Sequence, residues 1–256
     1  MGSHIVEALL DMHSRVTCLD DFSTGKDANI AHMVSNPNLT IVRGEVRDFA
    51  KLCELVRNSD IVFHFAARVV GMSIEDPRAD MEVNIGGTFN VLEACRQAKK
   101  VERAVYASSA SVYGNARYIP VSEEDPTNPL SPYAVSKLAG EHYCRTFFDH
   151  YGIPVVCLRY FNTCGPRQTD RAGYGGVVSI FARQVLSNTS PTVIGDGMQT
   201  RDFSYVSDAV RASLLAGVEQ RAIAQVFNIG SGVETTIGDL ARMIIELAGS
   251  NLEPVY

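Results

Sequence analysis

Short apolar runs alternate with longer amphipathic stretches over most of the chain. Arg15–Leu19, Leu39–Arg43, Ile61–Phe65, Ala104–Ser108 and Val155–Arg159 are rich in Val, Ile, Leu and Phe, and runs of that length predict strands buried on both faces. Between them, Phe49–Arg57, Ala79–Lys99 and Tyr133–Tyr151 carry apolar residues at helical spacing. Strands alternating with helices predict βαβ units, a parallel sheet and right-handed crossovers. Ile5–Leu10 also reads as a helix, and it precedes the first apolar run. A doubly wound sheet opens with a strand and a glycine-rich turn before its first helix, so the pattern predicts an α/β fold whose first strand is missing.

After residue 162 the pattern loosens. Gly165-Pro166, Gly173 to Gly176 and Gly195-Asp196-Gly197 punctuate it. The expected organisation is a larger α/β domain over 1–162 and a small C-terminal lobe over 163–256, interleaved with the last sheet elements. Ile119–Pro132 holds four prolines and reads as an ordered irregular loop leading into a helix.

Composition narrows the partners. The chain has 256 residues and a net charge of −6, which argues against a nucleic-acid backbone as the partner. No apolar run is long enough for a membrane helix, and the N-terminus has no secretory pattern. Cys18, Cys53, Cys95, Cys144, Cys157 and Cys164 include no C-x-x-C pair. That spacing predicts no metal site and reduced core thiols in a cytoplasmic protein.

The candidate chemistry sits at Tyr133 and Lys137, which share a helix face four residues apart. A free tyrosine is ionised in only about one molecule in a thousand at neutral pH. Lowering its pKa to about 7 takes about 4 kcal/mol of phenolate stabilisation, which a nearby ammonium can contribute in a dry site. The same spacing also fits a plain surface pair. Ser108, Ser109 and Ser111 follow a buried strand, where parallel sheets bind ligands; a helix cap or turn reads the same way.

Taken in order, Ser-Ser-Ala-Ser-Val-Tyr-Gly at 108–114, Ser-Pro-Tyr-Ala-Val-Ser-Lys at 131–137, Arg159-Tyr160-Phe161-Asn162 and Arg201-Asp202-Phe203 resemble the UDP-glucose (UDP-galactose) 4-epimerases and their relatives. These belong to the NAD-dependent epimerase/dehydratases of the extended short-chain dehydrogenase/reductase group. The resemblance covers nearly the whole chain. It implies a Rossmann-like NAD domain, a UDP-sugar substrate and 4-epimerisation through a 4-keto sugar.

By the same resemblance, Tyr133 is the base on the sugar 4-hydroxyl, Lys137 binds the nicotinamide ribose and lowers the tyrosine pKa, and Ser109 shares in proton transfer. Asp20, ending Val16–Leu19, is the residue for the adenosine ribose, with Asp21, Phe22, Ser23, Thr24 and Gly25 beside it. Glu45 and Val46 match the adenine turn, with Glu45 in place of the usual aspartate. Phe65, Ala66, Ala67, Ser108, Tyr160 and Phe161 line the cofactor, and Asn84 supports its loop. His64 reads as a packed strand histidine. For the substrate, Ser111 lies near the sugar, Asn162 near the diphosphate, Arg201 near the ribose and phosphate, and Val177, Val178, Thr192 and Val193 near the uracil. An Arg201–Asp202 salt bridge is the alternative for Arg201.

The resemblance also discriminates. Relatives that are 4,6-dehydratases place an aspartate and a glutamate where this chain has Ala110 and Ser111. UDP-uronate epimerases and decarboxylases share the tyrosine, lysine and NAD sites. Only Gly2 matches the family's glycine-rich loop, and the family extends past Tyr256. A second reading is therefore a truncated, catalytically impaired nucleotide-sugar-binding remnant. The helices at Ala79–Lys99 and Tyr133–Tyr151 imply a homodimer.

Overall fold

A computed structural model describes residues 1–169 and 176–256. Gly173 and its neighbours at 170–175 lie outside the described residues, whereas Gly176 caps a helix. The chain forms two compact units, one of residues 1–160 and 207–229, the other of 161–206 and 230–256.

The first unit holds helix α1 (Gly2–Asp11), strands β1 (Val16–Asp20) and β2 (Leu39–Arg43), α2 (Phe49–Val56), β3 (Ile61–His64), α3 (Val70–Glu75) and α4 (Pro77–Asp80). It continues with α5 (Gly87–Ala98), β4 (Arg103–Ser109), α6 (Pro132–Tyr151) and β5 (Val155–Tyr160). After an excursion into the second unit, the chain returns as nearly all of α8 (Val206–Val218) and as β8 (Val226–Ile229). Strands β3, β4, β5 and β8 pair in that order, all parallel.

Alternation along β4 and β5 sends side chains into two cores. Ala104, Tyr106, Val155 and Cys157 pack against Leu52 and Val56 of α2, Val91, Leu92 and Cys95 of α5 and Cys144 and Phe147 of α6. Val105, Ala107, Val156, Leu158 and Tyr160 pack on the other face with Ala209 and Ala216 of α8. Because the strands are covered on both sides, they read as continuous apolar runs, as the sequence pattern predicts. Each fully buried aliphatic side chain contributes about 1.5–3 kcal/mol.

The parallel sheet is divided. Among the described residues β1 pairs with β2 alone, in a separate two-stranded sheet. β1 and β3 are mostly half-buried, whereas β4 and β5 are buried almost throughout. Leu19 of β1 and Val62 of β3 nonetheless pack against the same core.

The predicted helix Ala79–Lys99 is not continuous. A π-helical segment, Met81–Gly86, lies between α4 and α5. Asn84 sits in that segment, and its buried side chain bonds to other elements. Hydrophobic spacing registers apolar contacts and is blind to such a polar anchor.

Helix α6 starts where Ser131 accepts a hydrogen bond from the Ala134 amide and Pro132 takes the first turn. It lies close against β4 because Gly140 faces the Tyr106 ring; a Cβ there would overlap the Tyr106 hydroxyl. That hydroxyl donates to the Lys137 carbonyl at 3.2 Å.

The second unit contains β6 (Asn162–Cys164), α7 (Val177–Leu186), β7 (Thr200–Tyr205), β9 (Glu234–Thr236) and α9 (Ile237–Leu247). β6 runs parallel to β7, and β9 antiparallel to it. Its core joins Phe181 of α7, Val193, and Ile237, Leu240 and Ala241 of α9. Among the described residues, no helix is long and apolar enough to cross a membrane.

Candidate active site

Strand β4 ends at Ser108-Ser109, and α6 begins after the proline-containing loop. The closeness of β4 to α6 brings Ser109, Tyr133 and Lys137 together at the C-terminal end of the sheet, the side on which such sheets bind ligands. The Ser109 hydroxyl accepts from the Ser111 amide at 3.2 Å, capping the short turn Ala110–Tyr113. It also hydrogen-bonds the Tyr133 phenol. Cap and active-site neighbour are therefore the same residue.

The Lys137 ammonium is buried and donates to the Ala107 carbonyl at 2.7 Å. It lies 5.7 Å from the centre of the Tyr133 ring and 5.2 Å from that of Tyr106. Burial lowers its pKa to about 8, against an opposing contribution from Asp80.

Tyr133 differs from the sequence expectation. Desolvation raises its pKa above 10; the Ser109 bond opposes this, and Asp80 adds to it. The Lys137 ammonium is directed to the Ala107 carbonyl rather than to the phenol oxygen. His64 is buried, pairs with the Thr88 hydroxyl at 2.9 Å, and is held down to about 3 by burial and then by the Lys137 charge. It is a neutral packing residue at physiological pH.

Asn84 anchors the loop that follows β3. Its Oδ1 accepts from the Arg68 amide at 2.7 Å, and its Nδ2 donates to the Arg68 carbonyl, Asp80 and the Ser136 hydroxyl. Phe65, Ala66 and Ala67 precede that anchor, and the Phe65 ring packs on Tyr160. Tyr160 spends its hydroxyl on Ser213 at 2.7 Å.

At the end of β1, Asp20 accepts from the Phe22 amide through Oδ1 at 2.7 Å, and burial raises its pKa. Its Oδ2 takes no hydrogen bond among the described residues. Gly25 lies so close that a Cβ would touch the carboxylate. Asp21 is occupied by the Ser23 amide and hydroxyl, and Thr24 continues the same exposed turn. Glu45 pairs with Arg47, while Val46 is buried and its carbonyl accepts from Asn90 at 3.1 Å. An acceptor oxygen at a strand end, a cradle without a side chain and a buried lysine fit a dinucleotide with ribose hydroxyls. Ser111 adds a buried hydroxyl with no partner among the described residues.

In the second unit, Phe161 precedes β6, and Asn162 is exposed on it, paired in register with Phe203. Val177 and Val178 open α7 and half-bury against its core. Thr192 bridges to Val255, and its amide meets Gln184. Val193 is fully buried core, whereas Ile194 beside it is exposed. Arg201 is exposed on β7 and donates to the Thr200 carbonyl. Asp202 instead holds the Ser231 amide and hydroxyl and the Gly232 amide, so the alternative Arg201–Asp202 salt bridge is not formed.

A family model described as the NAD dependent epimerase/dehydratase family matches residues 1–230. The chain belongs to that family. It is 41% identical over 260 residues to a putative UDP-glucose 4-epimerase of Methanocaldococcus jannaschii, covering all of this chain and 82% of that protein. It is 36% identical over 263 residues to a UDP-N-acetyl-alpha-D-glucosaminuronate decarboxylase of Bacillus cytotoxicus, covering 100% of this chain and 79% of that protein. A solved UDP-N-acetylglucosamine 4-epimerase of Methanobrevibacter ruminantium M1, in complex with UDP-N-acetylmuramic acid, superposes with a TM-score of 0.94 at 35% identity, covering 100% of this chain and 81% of that one. This epimerase/dehydratase family member is thus an enzyme of the UDP-sugar class with NAD as its cofactor.

Sequence reasoning missed a buried polar clasp in the first unit. The Glu141 carboxylate accepts from Arg159 at 2.9 and 2.7 Å and from the Ser108 hydroxyl. Arg159 also donates to the Tyr113 hydroxyl at 2.7 Å, and Tyr113 donates to Asn228 at 2.7 Å. The available signal was Glu141 itself, a charged residue one turn beyond Lys137 on the same helix face.

Proposed function

We propose that this enzyme interconverts the C4 epimers of a UDP-hexose of the UDP-glucose/UDP-galactose type. The observation that carries the reading is the grouping of Ser109, Tyr133 and Lys137 at the end of β4, with Ala110 and Ser111 where a dehydratase has its acid pair.

Bound NAD supplies a hydride acceptor that returns the hydride. Tyr133 takes the proton of the sugar 4-hydroxyl and gives it back after the 4-keto sugar has presented its other face. Ser109 holds that hydroxyl and steadies the phenol. A cationic nicotinamide, when bound, would offset the desolvation that raises the Tyr133 pKa. Lys137, anchored on Ala107, would hold the nicotinamide ribose. Asp20, with Gly25 open beside it, would hold the adenosine ribose, and Val46 the adenine. In the second unit, Asn162 and Arg201 are proposed for the diphosphate, where Arg supplies a planar multi-donor cation. Val177, Val178 and Thr192 are proposed for the uracil.

Purified protein incubated with NAD and UDP-galactose is expected to form UDP-glucose, read by chromatography. No product with either UDP-hexose, but turnover of a UDP-uronate, would reassign it to the sugar-acid branch. NAD bound, but no turnover of any of these, would favour an impaired binding protein.

A homodimer through α5 and α6 is part of the same proposal. Phe89 is 40% exposed and Tyr143 38%, and their rings meet edge to face at 5.6 Å across the two helices. Tyr151, 55% exposed, extends the patch through Phe147. Exposed aromatics in contact mark a surface suited to association. Light scattering at micromolar concentration is expected to give twice the chain mass, and a monomer would refute this interface.

A further inference from the structure

Asp80 is 2% exposed at the end of α4, yet its Oδ1 meets only neutral donors, the Ser73 hydroxyl and Asn84 Nδ2 at 2.6 Å. Among the described residues it forms no ion pair within contact distance. A buried carboxylate without a charged partner is costly, so its persistence calls for a compensating charge nearby. Lys137 is a buried cation whose ammonium donates to a carbonyl and forms no ion pair among the described residues, and α4 packs on the helix that carries it. Asn84 joins the two, bonding Asp80 on one side and Ser136 of α6 on the other.

We propose that Asp80 is a positioning residue of the reaction: its fixed carboxylate is the counter-charge that keeps the Lys137 ammonium protonated and sets the pH range in which Tyr133 and Lys137 work together. This rests on the reading of Tyr133 and Lys137 given above.

The surroundings leave Asp80 in that role. The other titratable groups facing Lys137 are His64 of β3, Tyr106 of β4, and Tyr133 and Cys144 of α6, with Glu141 one turn further on; burial keeps the Cys144 thiol well above its ordinary range. His64 is neutral near physiological pH, and the Glu141 carboxylate is committed to Arg159. On the elements packed against α4, Glu75 is exposed and Glu82 pairs with Arg47, while Arg68 of the adjoining loop donates to the Met72 carbonyl. Asp80 supports the ammonium of Lys137 and opposes the phenolate of Tyr133. Removing its charge therefore lowers both pKa values, and the two limbs of a pH profile move together toward acid.

Asp80→Asn is the test, because an amide oxygen can still accept from both Ser73 and Asn84. The protein is labelled with 13C at the lysine ε-carbon; the Lys137 signal is identified by its loss in Lys137→Met, against those of Lys26, Lys51, Lys99 and Lys100. The Lys137 midpoint is expected to fall by about one pH unit or more in Asp80→Asn and to stay in place in Ser136→Ala, which cuts the hydrogen-bond link but keeps the charge. With UDP-galactose, the kcat/KM optimum is expected to move to lower pH by a similar amount. An unchanged Lys137 midpoint in Asp80→Asn overturns the proposal, as does an equal shift in Ser136→Ala. Should Asp80→Asn fail to fold by circular dichroism, Asp80→Ser decides by the same titration. A shifted midpoint in a protein that turns over no UDP-sugar supports the counter-charge, while the epimerase reading alone fails.

Discussion

Tyr133→Phe lowers kcat for the UDP-hexose by about 10³-fold, while NAD binding stays within a factor of about two. A positioned acid–base group contributes about 10² to 10⁴ in rate, and Phe removes only the hydroxyl. The ring stays beside Lys137, and the Lys137 bond to Ala107 does not involve the phenol. The loss therefore falls on kcat. Steady-state kinetics and NAD titration of the purified variant check this. A fall of less than tenfold removes Tyr133 from the proton transfer; a matching loss of NAD affinity makes it a binding residue instead.

Glu141→Leu destabilises the fold by about 3–5 kcal/mol. The pair it breaks is 6% and 7% exposed at Glu141 and Arg159, and Arg159 is left as a buried charge without its carboxylate. Ser108 loses its acceptor as well. Arg159→Leu is expected to cost a similar amount, because it strands Glu141 and frees the Tyr113 hydroxyl. The double variant recovers most of the loss, since two apolar side chains of similar bulk leave no uncompensated charge. Urea unfolding of the four proteins measures the coupling. Additive losses would mean that the two residues stabilise the protein separately. In Glu141→Leu the Ser108 hydroxyl beside Ser109 also loses its acceptor, so activity per folded molecule is expected to fall in that variant and not in Arg159→Leu.

The division between what could be read early and what could not follows from the range of the interactions. Alternation along β4 and β5 is local, and two-sided burial forces an unbroken apolar run, so strands and fold class were legible. So were Tyr133 and Lys137, because helical spacing alone puts them on one face. Asn84 was legible as a support residue only through the resemblance; the π-helical segment that holds it leaves no mark in apolar spacing. Gly140 looked like any helix glycine until α6 was seen resting on Tyr106.

The sequence by itself determined the parallel α/β plan, the family and which tyrosine, lysine and serine are proposed to react, since each depends on near neighbours or on motif order. The tertiary structure alone decided their electrostatics. Whether Tyr133 is easier or harder to ionise depends on where the Lys137 ammonium points, which carboxylates are buried nearby and how much water remains. Asp80, Glu141 and Arg159 come from different parts of the chain, and charge interactions in a dry interior depend on distance in space, which no spacing along the chain records.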